Sequence, residues 1–238
     1  MSSSSENKGR VAKAAGIVMF AILISRILGF IRERAITEVF GRTGTTDVFF
    51  AAFALPDLMY QLLVGGALSS AFIPVFTQYL ARDQEDEAWY VASVFLNLTV
   101  SALLIVMILG VIFTPSLAPL VGIGFAGEQR ELLILLMRIT FPAVFFTALS
   151  GLEMGILNSY QQFALPAVGP IIYNLGQILG AYILGPVMGI MGMAVGTIVG
   201  SIGSFSIQFP RVYKHAEGRY RPVIDLKHPG IRRMGQLM

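Results

Sequence analysis

Six long apolar runs, separated by short polar loops, organise the chain: 11–40, 48–80, 88–113, 132–157, 163–184 and 187–213. A helix crosses a bilayer with about 20 mostly apolar residues. Every run is long enough, so the pattern predicts an all-α integral membrane protein with about six transmembrane helices. The first two runs exceed a straight crossing, which predicts tilt, kinks or interfacial extensions. No stretch alternates apolar and polar residues as a barrel strand does, which argues against an outer-membrane barrel. The Ser-rich segment 1–10 reads as a disordered arm, residues 11–213 as one six-helix lobe, and 214–238 as a basic linker or tail. A signal peptide is a poor reading of the first run, which is longer than a signal's apolar region and contains Arg26.

Composition narrows the chemistry. Hydrophobic residues make up 55% of the 238 positions and charged residues 13%, with a mean hydropathy of +0.72. A soluble domain carries roughly 25% charged residues, so lipid must solvate this surface. Cysteine is absent, which excludes disulfides and thiolate chemistry. His215 and His228, the only histidines, both fall near or in the polar tail. An intramembrane metal site would therefore have carboxylates alone, and neither a metal nor another cofactor is expected. No nucleophile motif or phosphate loop is present, and Gly122-Ile123-Gly124 is too weak to count as one.

Charge sets the expected orientation. Lys8, Arg10 and Lys13 precede the first run, Arg82 lies between the second and third, and seven lysines and arginines from Arg211 to Arg233 follow the sixth. With six crossings these segments share one side, opposite Arg42 and Arg130. Positive loops stay cytoplasmic, so both ends of this chain are expected there.

The residues that stand out lie in the first two runs. Arg26 is roughly 20 Å along a helix that begins near Val11. Charges at such depth usually face a bundle interior or water. Glu33, seven residues on, nearly aligns with Arg26, with Gly29 between them and Arg32 further round the same side. Three arginines with Glu33 leave a positive excess suited to an anionic ligand, phosphate above all. The plainer reading is that Arg32 and Arg34 reach the interface with Glu33 as partner; it is preferred for Arg34.

In the second run Asp47 is placed to cap a helix opening at Val48, or to serve function. Asp57 follows Pro56 about 15 Å further in, where a Pro-Asp break would expose backbone and carboxylate to a cavity. Gly65 and Gly66 offer a hinge or close packing. Six glycines from Gly185 to Gly203 form one stripe, read first as ordinary helix packing. Asn97, Asn158, Asn174 and Gln177 read as interhelical hydrogen-bond formers, and Arg138 and Glu153 as interfacial.

Several segments carry a family resemblance: Ser25-Arg26-Ile27-Leu28-Gly29-Phe30-Ile31-Arg32-Glu33, Thr46-Asp47-Val48-Phe49-Phe50-Ala51-Ala52-Phe53, Leu55-Pro56-Asp57-Leu58 and Gly66-Ala67-Leu68-Ser69-Ser70-Ala71-Phe72-Ile73-Pro74-Val75-Phe76. With Thr140-Phe141-Pro142, Gly155-Ile156-Leu157-Asn158 and Pro166-Ala167-Val168-Gly169-Pro170, they run in order along nearly the whole chain. In this the chain resembles the lipid II flippases (MurJ/MviN family) of the multidrug/oligosaccharidyl-lipid/polysaccharide exporter superfamily.

The resemblance implies one lobe of a two-lobed alternating-access transporter. Its substrate would be the undecaprenyl-pyrophosphate-linked peptidoglycan precursor, moved from inner to outer leaflet. Arg26 and Arg32 match cationic cavity positions, Glu33 the acidic position beside the second, and Asp47 and Asp57 polar positions of the second helix. Tyr60, Gln61 and Gly65 stand where many members carry two arginines and an acid. The implied partners are the lipid-linked pyrophosphate, membrane lipids and either a second lobe or a second copy, with no nucleic acid. A fragment or truncated product is the preferred account of the length. Export of another lipid-linked oligosaccharide or a drug, and a non-transporting membrane module, are the competing readings. An intramembrane enzyme is disfavoured for want of histidine, cysteine or paired carboxylates in the membrane.

Overall fold

The computed structural model describes residues 2–41, 43–66 and 68–237, without the side chains of 2–15 and Ser69. Arg42, Lys8, Arg10 and Lys13 of the charge argument therefore lie wholly or in their side chains outside the description. The described residues are helical, without a strand: α1 (Ser2–Phe40), α2 (Gly44–Ala51), α3 (Ala54–Tyr60), α4 (Ile73–Leu80), α5 (Glu85–Ile112), α6 (Thr114–Val121), α7 (Glu128–Ser159), α8 (Ala164–Leu179), α9 (Gly185–Met188), α10 (Ile190–Ala216) and α11 (Pro229–Leu237). Among the described residues, five spans are long and apolar enough to cross a membrane: Gly44–Leu80, Glu85–Ile112, Glu128–Ser159, Ala164–Met188 and Ile190–Ala216. The remaining expected crossing falls within the 39-residue α1. That helix is continuous from Ser2, so it includes the segment the sequence sets apart as an arm.

Helix α7 is the centre of the lobe, packing on α5, α10 and the whole broken span from α2 to α4. The α7–α10 seam carries a buried polar ladder. Thr147 and Ser201 lie 3.1 Å apart, Ser150 and Ser204 2.8 Å, and Gln208 donates to Ser150 Oγ at 2.7 Å. Hydrogen bonds of this kind fix register between helices that lipid would otherwise solvate equally well.

Helices α8 and α10 meet backbone to backbone. A Cβ on Gly196 would stand 2.7 Å from Gly180 Cα, and one on Gly200 would stand 2.8 Å from the Tyr173 carbonyl oxygen. The glycine stripe is thus the intramolecular packing face the sequence suggested. Gly189, the N-cap of α10, has φ of +60° and ψ of −146°, a conformation open to glycine and strained for other residues.

The second span is broken as expected, with a mechanism that sequence did not reveal. Pro56 has no N–H to give the Ala52 carbonyl one turn back. Residues 52 and 53 leave the helix between α2 and α3. The buried Thr140 hydroxyl of α7 donates to the freed Ala52 oxygen at 2.9 Å, so another helix satisfies what the proline released. Thr140→Val should lower stability in detergent by about 1–2 kcal/mol, since a buried carbonyl loses its donor. Thermal unfolding checks this, and an unchanged midpoint would mean the Ala52 oxygen finds another donor.

Beyond α3 the span winds into two π-helical turns, Gln61–Gly65 and Leu68–Phe72, before α4. Gly65 and Gly66 sit at their junction. A Cβ on Gly29 or Gly66 would meet nothing within 4 Å, and one on Gly65 only the Tyr60 carbonyl at 4.0 Å. Close packing therefore does not explain these three glycines among the described residues, and the hinge reading remains for Gly65 and Gly66.

The tail folds back on the start of α5. Arg219 pairs with Asp86 at 2.8 Å and Glu85 at 3.6 Å, and His228 lies 2.7 Å from Glu87. Asn97 donates to the Arg221 and Val223 carbonyls at 3.0 and 2.9 Å. The acidic run at 83–87 and the basic tail thus share one end of the lobe, as the charge pattern implies. Beneath them Trp89 donates to the Tyr160 hydroxyl, which donates to Glu85, and the Tyr160 ring stacks on His215 at 4.0 Å.

Candidate functional site

Of the singled-out charges, Arg32 and Glu33 stand where α1 lies along α8. Arg32, half-buried, donates to Asn174 Oδ1 at 3.2 Å and to Glu33 Oε1 at 2.6 Å. Asn174 is itself fixed, donating to the Pro170 carbonyl at 2.9 Å and the Ser25 carbonyl at 3.4 Å. The asparagine therefore clamps α1 to α8 and aims the Arg32 guanidinium. Its interhelical role was legible; its contact with Arg32 was not. Tyr173 is beside it on α8, the helix that packs on α1. Nothing in the sequence marked Tyr173.

Arg26 and Glu33 are exposed on α1, and Asp57 on α3. No hydrogen bond or ion pair ties Arg26 to another described residue. Two expectations change. Arg34 pairs with Glu38 at 3.8 Å, and Glu38 also accepts from Tyr182, so the partner of Arg34 is one turn on rather than Glu33. Glu38 was overlooked, and it reduces the positive excess of the segment by one charge.

Asp47 is not the cap. Helix α2 begins at Gly44, with Thr43 as N-cap, its backbone N–H donating to Thr46 Oγ1 at 3.0 Å. Two threonines three apart satisfy the helix start, and this moves Asp47 into the first turn. There its exposed carboxylate faces the positive end of the helix dipole. Pro56 is buried at the break. Tyr60 packs on α7, with Gly151 leaving it room: a Cβ there would stand 3.3 Å from the Tyr60 hydroxyl. No cluster able to hold a metal ion occurs among the described residues.

The fold and this charged face define a multi-pass helical membrane lobe, apolar on its outside and carrying arginines on helices that bury few other charges. The profile of the family "Lipid II flippase MurJ" matches residues 36–238. The chain belongs to that family. It is 30% identical over 219 residues to the lipid II flippase MurJ of Burkholderia cenocepacia, covering 89% of this chain and 42% of that relative. To the probable lipid II flippase MurJ of Vibrio cholerae it is 32% identical over 243 residues, covering 96% and 46%. The chain thus spans about half the length of the curated relatives it matches.

A solved lipid II flippase MurJ in an inward closed conformation superposes with a TM-score of 0.64 at 26% identity, over 85% of this chain and 46% of that one. A transporter of the MOP superfamily from Pyrococcus furiosus shares the fold at a TM-score of 0.62 and 18% identity. The profile match begins after Arg26, Arg32 and Glu33, so the case for those residues rests on their own geometry.

Proposed function

We propose that the chain forms the N-terminal half of a lipid II flippase, which moves the undecaprenyl-pyrophosphate-linked peptidoglycan precursor from the inner to the outer leaflet by alternating access. Membership of the MurJ family over residues 36–238 carries this reading. Arg26 and Arg32 hold the pyrophosphate, because guanidinium groups grip phosphate oxygens in bidentate fashion. Glu33 holds Arg32 in place between substrates, and Asp57 lies across from it. Asp47 sits at the rim. The broken second span, with Pro56, Gly65 and Gly66, is the hinge on which the lobe changes shape. Both ends of the chain are cytoplasmic, where Arg82 and the basic tail sit together. A second lobe, or a second copy, completes the cavity. The reaction is transport, with no bond made or broken.

Binding tests this directly. The detergent-solubilised chain should retain an undecaprenyl-pyrophosphate-linked disaccharide in native mass spectrometry more strongly than undecaprenyl monophosphate. Equal retention of the two would remove the pyrophosphate from the proposal.

A further inference from the structure

Helix α7 contains a buried acid, Glu153, that the charged face does not use. Glu153 is 5% exposed, and neither of its carboxylate oxygens has a hydrogen-bond partner among the described residues. On α10, Gln208, which donates to Ser150 about one turn before Glu153, has an unpartnered amide oxygen as well. The sequence placed Glu153 at an interface; it is instead buried at a cavity of about 820 Å³.

That cavity is a cleft with α7 as its floor and α5 and α10 as its walls; both walls pack on α7 rather than on each other. The tail at Gly218, Tyr220 and Pro222 crosses one end. The lining is apolar and aromatic, and holds no lysine, arginine or histidine to meet Glu153. Asn97, the other strongly polar wall residue, is already spent on Tyr220 and the Arg221 and Val223 carbonyls. Arg219, which adjoins the lining residues Gly218 and Tyr220, is engaged by Glu85, Asp86 and Glu217. Exposed Phe209 and Tyr213 stand at the cleft's edge, side chains suited to the border of a bilayer.

A buried carboxylate without a partner is costly; the walls offer what an acyl chain needs, and Glu153 of the floor, whose oxygens are buried here, would meet a cation by turning its carboxylate into the cleft. We propose that this cleft binds a membrane lipid whose headgroup carries a primary ammonium, with Glu153 accepting its N–H bonds. A primary ammonium has three donors, whereas a quaternary one has none. The site should therefore separate ethanolamine from choline headgroups. It is independent of the flippase reading and opens between spans other than those bearing Arg26, Arg32 and Asp57.

Trp89 lines the same cleft and is the only tryptophan of the chain, so it reports on the occupant. The chain would be reconstituted in phosphatidylcholine nanodiscs with equal mole fractions of acyl-dibrominated phosphatidylethanolamine or dibrominated phosphatidylcholine. Quenching of Trp89 should be at least twofold greater with the ethanolamine lipid. In Glu153→Gln, near-isosteric but uncharged, the two should quench alike, and Val100→Phe, which fills the cleft, should weaken both. Equal quenching in the unmodified chain overturns the proposal whether or not the variants fold, and so does a preference that survives Glu153→Gln. If butylammonium in the buffer removes the preference at millimolar concentration, the site takes soluble amines and the lipid assignment falls.

Discussion

Gly196→Leu is expected to be the most damaging single change to this lobe. At Gly196 the added Cβ alone would stand 2.7 Å from Gly180 Cα and 3.1 Å from Gly180 N. Those are backbone atoms, which cannot swing aside as a side-chain tip can. Helices α8 and α10 would have to separate, and α8 is the helix that α1 lies on. Overpacking costs about 1–3 kcal/mol when a core yields, and a leucine against backbone belongs at or beyond the upper end. Against a total of roughly 5–15 kcal/mol, that is a large share, and the variant's unfolding midpoint in detergent should fall well below that of the unmodified chain. Gly29→Leu is the matched control, because a Cβ there meets nothing within 4 Å. Unfolding midpoints and protease resistance compare the two. A Gly196→Leu protein as stable as the control would mean that the α8–α10 contact is not tight.

The second large effect concerns function without stability. Arg32→Ala removes a partly exposed pair with Glu33 and one bond to Asn174, so its folding cost should stay under about 1 kcal/mol. Charged hydrogen bonds to a ligand are worth about 1.5–3 kcal/mol. Retention of the pyrophosphate lipid should therefore fall roughly 10- to 100-fold, with unfolding unchanged. Arg26→Ala should behave alike, with still less effect on folding because Arg26 holds no other described residue. Unaltered lipid retention in both variants would remove these arginines from the site.

Apolar runs are a strong signal because lipid admits few alternatives to a helix, and the long helices lie where the runs predicted them. Their ends are less legible. Helix α2 begins at Gly44 because the Thr46 hydroxyl bonds the backbone of Thr43, a contact that hydropathy does not register. The short α6 falls between the apolar runs 88–113 and 132–157 and is too short to register as one, and Pro115 sits in its first turn, where proline costs no hydrogen bond. Within the site, sequence singled out the charged residues and Glu33 as a partner of Arg32, but not what α8 brings to Arg32. Asn174 and Tyr173 lie more than 140 positions from Arg32, and only the packing of α1 on α8 brings them together. Glu153 shows the same limit in reverse: its position near a helix end suggested an interface, while its burial depends on where α5, α10 and the tail come to rest.

The central claim is that this chain is the first lobe of a lipid II flippase with Arg32 in its headgroup site. Complementation in a bacterium depleted of its own lipid II flippase tests it most directly. The 238-residue chain and a version joined to the second lobe of a relative would each be expressed with and without Arg32→Ala. Growth should return with the joined protein and be lost again with Arg32→Ala at equal membrane abundance. Failure of both forms despite good expression, or full rescue by the Arg32→Ala protein, would contradict it.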